Sequence, residues 1–183
     1  ANQLAIALVR KQLVKRKGKA ILYRKSLYEN LHKNLPFSLT RSQTEAISDI
    51  HKDLTSNNRM HRLLQGDVGS GKTIVAILGL APMIEAGMQV AFLAPTEILA
   101  RQHFTNIKNI LNATNIPITI YTGQDKGLDR KIKLQEISEG KAQIVIGTHT
   151  IFQEGVTFKN LGMAIIDEQH RFGVHQRLAF VEK

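Results

Sequence analysis

The chain has 183 residues, 43% of them hydrophobic and 22% charged, with no cysteine and a net charge of +10. That length suits one domain with a substantial core. The composition excludes a disulfide framework and a thiolate metal site, and neither a transmembrane run nor a signal peptide can be read, which suits a reducing cytoplasm.

The charge is uneven. Residues 1–35 hold nine basic side chains against the single acid Glu29, so only +2 of the total falls on residues 36–183. Such an asymmetry points either to a polyanionic partner or to a solvated helix face.

In chain order, residues 3–16 and 20–33 read as two basic helices around Lys17-Gly18-Lys19, with Leu4, Leu8 and Leu13 on roughly one face. Residues 1–34 are thus expected to form a basic helical extension, and residues 35–183 the domain proper. After Pro36, Thr40 is placed to cap a helix running to about Leu54, and Asn57-Asn58 marks a loop. Strands and helices then alternate. Arg62–Gln65 reads as a strand, and Lys72–Ala86 as a helix that Pro82 should kink. Val90–Ala94 follows as a strand, and Thr96 caps a helix to about Leu111. Ile118–Tyr121 is a strand, Leu128–Glu139 a helix, and Gln143–Gly147 and Gly162–Ile166 are strands. Short apolar strands between amphipathic helices predict an α/β fold, a mostly parallel sheet with helices on both faces.

Gly66-Asp67-Val68-Gly69-Ser70-Gly71-Lys72-Thr73 fits G-x-x-x-x-G-K-[ST]. Glycines let such a loop wrap so that its N–H groups point at phosphate oxygens, and the following helix adds its positive end. Lys72 should reach the β- and γ-phosphates of ATP, and the Thr73 hydroxyl should ligate Mg²⁺. Met163-Ala164-Ile165-Ile166 is a buried-strand pattern that delivers Asp167 and Glu168 to the carboxyl end of the sheet, where ligands of open α/β sheets bind. Asp167 would hold Mg²⁺ and Glu168 would polarise the attacking water, the alternative being a plain strand-end turn.

With Asp167-Glu168-Gln169-His170 in view, the chain resembles a superfamily 2 helicase or translocase. The strings Leu35–Gln43, Arg62–Gly69, Ala94–His103, Gly147-Thr148-His149 and Asp167–Val174 narrow the resemblance to the bacterial ATP-dependent helicases that remodel branched DNA. Transcription-repair coupling translocases share much of this pattern. The fold so implied is a RecA-like P-loop NTPase, the first motor domain of such an enzyme.

The resemblance also implies roles. Gln43 would read the adenine edge beside Phe37 and Leu39, although Thr40-x-x-Gln43 equally fits a capping box. Pro95, Thr96, Glu97 and Arg101 would track the DNA backbone, as would Gly123 and Gln124 of the next loop and Thr148 and His149 of the one after. For His149 a capped turn is the alternative. Gln169 and His170 would couple nucleotide state to DNA contact. His103 falls at helical spacing with Leu99 and Ile107 and reads as a core or boundary residue, while His32, His51, His61 and His175 read as surface residues. With no Trp, seven Phe and three Tyr, backbone tracking suits the chain better than base stacking.

The chain starts at Ala1 and stops fifteen residues after Glu168, so it is expected to be part of a longer protein. In the superfamily a Ser/Thr-Ala-Thr motif, a second RecA-like domain with an arginine finger, and an amino-terminal wedge domain would complete it. Alone, this stretch is expected to hydrolyse ATP poorly, since such a finger contributes roughly 10³–10⁵ in rate. Two other readings compete: a P-loop ATPase that is not a helicase, and a nucleic-acid-binding module with a vestigial nucleotide site.

Overall fold

The structure, a computed structural model, describes residue 18 and residues 20–168. The helix expected over residues 3–16, the pair Gln169-His170 and His175 lie outside the described residues. The chain divides between Ala86 and Gly87 into two compact units.

The first unit is helical: α1 (Ser26–Lys33), α2 (Arg41–Leu54), α3 (Lys72–Gly79) and α4 (Ala81–Glu85). Residues 20–25 are irregular, so the helix expected over 20–33 forms only in its second half. Its start is set by Glu85, which accepts from Ser26 Oγ at 2.8 Å and from the N–H groups of Arg24, Lys25 and Leu27. These bonds hold Lys25 at φ 64°, a left-handed conformation unusual outside glycine. Helix α2 begins where its capping residue predicts, and Thr40 and Gln43 form a complete capping box. Its Ile47 and Leu54 are buried. Pro82 breaks the next helix at Leu80, leaving α3 and the short α4, as its missing N–H and ring require.

Arg62–Gln65 is not a strand. Residues 61–70 are exposed, and a strand needs a hydrogen-bonded neighbour that these residues lack within their unit. Arg62 instead turns back to α2, pairing with Asp53 and, at 3.6 Å, with Asp49.

The second unit is a four-stranded parallel sheet of order β2-β3-β1-β4, made of β1 (Gln89–Leu93), β2 (Ile118–Tyr121), β3 (Ile144–Gly147) and β4 (Leu161–Ile166). Helix α5 (Glu97–Ile110) joins β1 to β2, and α6 (Gly127–Ser138) returns from β2 to β3. These crossovers run in opposite directions along the sheet, so right-handed connections put α5 and α6 on opposite faces. A short 3₁₀ turn, His149–Phe152, follows β3. The central strands β1 and β3 are wholly buried, as apolar runs covered on both sides should be. The one polar side chain buried within β1, Gln89, is fully used. Its amide donates to Ile137 O and Ala142 O at 2.9 and 2.8 Å, and its oxygen accepts from Asn160 N.

Candidate functional site

In the first unit the glycine loop leads into α3. Gly69 and Gly71 take φ 80° and 82°, where a side chain would be strained. At Gly71 a methyl group would also collide with Gln43 Nε2. The loop closes on itself through Ser70 N to Asp67 O at 3.1 Å. Lys72 folds back over it, with Nζ donating to Gly66 O at 2.8 Å and Asp67 O at 2.7 Å. Val68 at the tip is fully exposed, and Thr73 sits in the first turn of α3.

Gln43 serves the loop as well as its own helix. Its Oε1 accepts from Thr40 N at 2.9 Å, while Nε2 donates to Ser70 O at 2.9 Å. The capping role is therefore present, and its amide also donates to the glycine loop. Phe37 and Leu39 line a shallow pocket with Pro36, Thr44, His32 and Lys33, and Gln43 is not among its walls. His51, read from sequence as a surface residue, is half-buried. Its Nε2 lies 3.0 Å from Leu78 O and its Nδ1 3.1 Å from the Tyr23 hydroxyl. Burial lowers its pKa from the ordinary 6.5, outweighing the opposing bond to Leu78 O.

In the second unit the strands are parallel, so the residues that follow each of them share the carboxyl edge of one sheet. Pro95, Thr96 and Glu97 follow β1, with Thr96 Oγ1 capping α5 through Leu99 N. Gly123 and Gln124 follow β2, Thr148 and His149 follow β3, and Asp167 and Glu168 follow β4. Side chains brace these loops to each other. Arg101 donates to Gln124 Oε1 at 3.3 Å. A methyl group at Gly123 would lie 3.5 Å from Glu97 Oε1 and 3.7 Å from Thr150 Cγ2.

Asp125 ties down the loop after β2, accepting from Thr122 N at 2.7 Å and pairing with Lys133 Nζ at 2.6 Å. Burial alone would raise the Asp125 carboxyl, but Lys133 and the Thr122 amide outweigh it and hold its pKa below the ordinary value. Gly147 is glycine because a methyl group there would collide with Tyr121 O and with Ile151 Cγ2. Arg101, Gly123, Gln124 and His149 are exposed. Thr148 is buried, with its hydroxyl 3.1 Å from that of Thr150. Glu97 keeps one carboxylate oxygen buried without a hydrogen-bond partner.

At the end of β4, Asp167 N donates to Leu93 O at 2.9 Å, and Glu168 adopts φ 50°. The Asp167 carboxylate accepts from His103 Nε2 at 2.7 Å. Sequence reasoning missed this contact. His103 lies 64 residues away in sequence and has the i, i+4 spacing of a core residue, so no local pattern marks it.

Residues 40–183 match the model of the DEAD/DEAH box helicases, and the chain belongs to that family. Within the family its similarity is to RecG, the branch to which the longer strings point. It is 52% identical over 153 residues to the ATP-dependent DNA helicase RecG of Borreliella burgdorferi, covering 84% of this chain and 22% of that protein. Over all 183 residues it is 45% identical to RecG of Haemophilus influenzae, 26% of whose length is covered. A solved structure of RecG bound to a three-way DNA junction superposes with a TM-score of 0.85 at 43% identity, covering 93% of this chain and 24% of that one. The chain thus spans about a quarter of the length of the relatives it matches. The α/β, RecA-like fold expected from the motifs is the fold found.

Proposed function

We propose that this chain is the first motor domain of an ATP-dependent helicase that remodels branched DNA, as at forks and junctions in recombination and repair. The observation that carries the reading is the glycine loop at α3: two glycines at positive φ, a lysine folded over the loop carbonyls, and a hydroxyl in the first helical turn. Loops of this form bind phosphate through backbone N–H groups and the helix end.

In the first unit, the N–H groups of Gly66–Thr73 would take phosphate oxygens, and Lys72 would exchange two carbonyl acceptors for charged ones. Phe37 and Leu39 would receive the base, with Gln43 linking that region to the loop. In the second unit, Asp167 is the acidic ligand for Mg²⁺, and Glu168 is the base that orients water. The Asp167 carboxylate fits that ion as a hard oxygen ligand, since Mg²⁺ prefers one or two protein oxygens with phosphate and water. When bound, Mg²⁺ would screen the phosphate charge. Arg101, Gly123, Gln124 and His149, exposed at the carboxyl edge, would follow the DNA backbone without reading sequence. Thr96 presents the amino-terminal end of α5, and Gln169 and His170 would couple the two events. The same reading implies action in the cytoplasm, at the nucleoid, within a longer chain that adds a second RecA-like domain and a wedge.

The test is ATP hydrolysis by the full-length protein with and without forked DNA. The expected result is DNA-stimulated hydrolysis that Glu168→Gln abolishes while nucleotide binding persists. Hydrolysis indifferent to DNA would favour a non-helicase ATPase instead.

A further inference from the structure

Resting on the reading of Asp167 as a Mg²⁺ ligand, we propose that His103 is its positioning residue: the imidazole holds the carboxylate in the orientation that the metal requires. The two side chains meet at 2.7 Å, His103 Nε2 to Asp167 Oδ2. A carboxylate can only accept, so Nε2 carries the proton in this bond.

His103 is itself immobilised. Its side chain is 13% exposed, and its ring packs on Phe92 of β1 with centroids 4.7 Å apart. Nδ1 is buried with no hydrogen-bond partner, so Asp167 is the ring's one hydrogen-bonded anchor among the described residues. Keeping a ring with an orphaned nitrogen here is costly for packing alone, where leucine would serve. The arrangement makes sense if the Nε2 bond is what is kept. Asp167 is meanwhile fixed at its backbone through Leu93 O, so its carboxylate is presented to His103 from the end of β4.

Helix α5 also bears Arg101, which reaches Gln124 in the loop after β2. The two residues are about 200° apart around the helix, so one rigid cylinder touches the exposed loop with one face and the acidic residue with the other. A hydrogen-bond partner outside the coordination sphere that orients a metal ligand typically contributes 10–100-fold to metal affinity.

The test uses the full-length protein and a fluorescent non-hydrolysable ATP analogue, titrated first in EDTA and then with MgCl₂. His103→Leu keeps the bulk and loses the donor, whereas His103→Gln places an amide N–H at nearly the reach of Nε2. In EDTA all variants should bind the analogue as wild type does, which establishes that they are folded. With MgCl₂, His103→Leu should need about 10-fold more metal for the same gain in affinity, and His103→Gln should recover most of that loss. Equal metal requirements for His103→Leu and wild type would overturn the proposal, as would a loss in His103→Gln as large as in His103→Leu. Asp167→Asn, run alongside, tests the reading beneath it. A wild-type metal requirement in that variant would remove Asp167 from the metal site, an outcome distinct from a silent His103.

Discussion

The two units hold their candidate functional groups by different means. In the first, the glycine loop is exposed from Gly66 to Ser70 and shaped by backbone: two glycine torsions, one internal turn, and Lys72 and Gln43 bonded to loop carbonyls. In the second, the loops at the sheet edge are held by side chains on neighbouring elements, Asp125 to Lys133, Arg101 to Gln124 and Asp167 to His103. On this contrast, substitutions in the glycine loop should alter the proposed ligand binding and leave folding nearly intact. Those beneath the sheet edge alter stability first.

The sharpest way to break this contrast lies in the second unit. Gln89→Leu leaves Ala142 O and Asn160 N without their side-chain partner and Ile137 O with only its bond from Gly140 N, and should cost about 2–4 kcal/mol in urea unfolding. A loss below about 0.5 kcal/mol would mean that these groups find other partners. Gly147→Ala forces a methyl group against Tyr121 O and should cost about 1–3 kcal/mol, read as a lowered melting temperature. Any effect on the proposed DNA contacts should follow from that instability rather than precede it.

Smaller effects sharpen the comparison from the side of the first unit, where pH is the probe. Burial would raise the Glu85 carboxyl, but hydrogen bonds from Leu27, Ser26, Arg24 and Lys25 prevail and lower its pKa from 4.5. Its contribution is therefore complete above pH 4.5 and disappears as pH falls through the lower folded value. Glu85→Gln should flatten that acid limb and free the start of α1, which circular dichroism against pH would show.

His51 runs the same way in proton terms, in a higher pH window. Its folded pKa lies below 6.5, so the unfolded chain binds the extra proton first, and stability falls as pH drops from 6.5 toward the folded value. His51→Asn should reduce this slope near neutrality while leaving the Glu85 limb unchanged.

Much of the fold was legible because its signals are local. Thr40 and Gln43 mark the start of α2, Pro82 marks the break after α3, and the apolar runs around Phe92, Ile120, Val145 and Ile165 mark the strands. The strand expected at Arg62–Gln65 shows the limit, since four residues of extended character form no strand without a partner. The candidate site divides in the same way. Glycine torsions follow from a contiguous motif. By contrast, the bonds of Gln89 to Ile137, Glu85 to Leu27 and His103 to Asp167 span 48, 58 and 64 residues and leave no trace in spacing. Gln43 lies between these cases: its capping role was readable from Thr40-x-x-Gln43, and its bond to Ser70 was not.

The central claim is that Gly66–Thr73 binds the phosphates of ATP, and calorimetric titration of MgATP into wild type and Lys72→Ala tests it most directly. Loss of a charge-assisted contact of about 1.5–3 kcal/mol predicts affinity lower by roughly 10–150-fold in Lys72→Ala, with an unchanged melting temperature in the absence of nucleotide. Equal affinities in the two proteins would contradict the account.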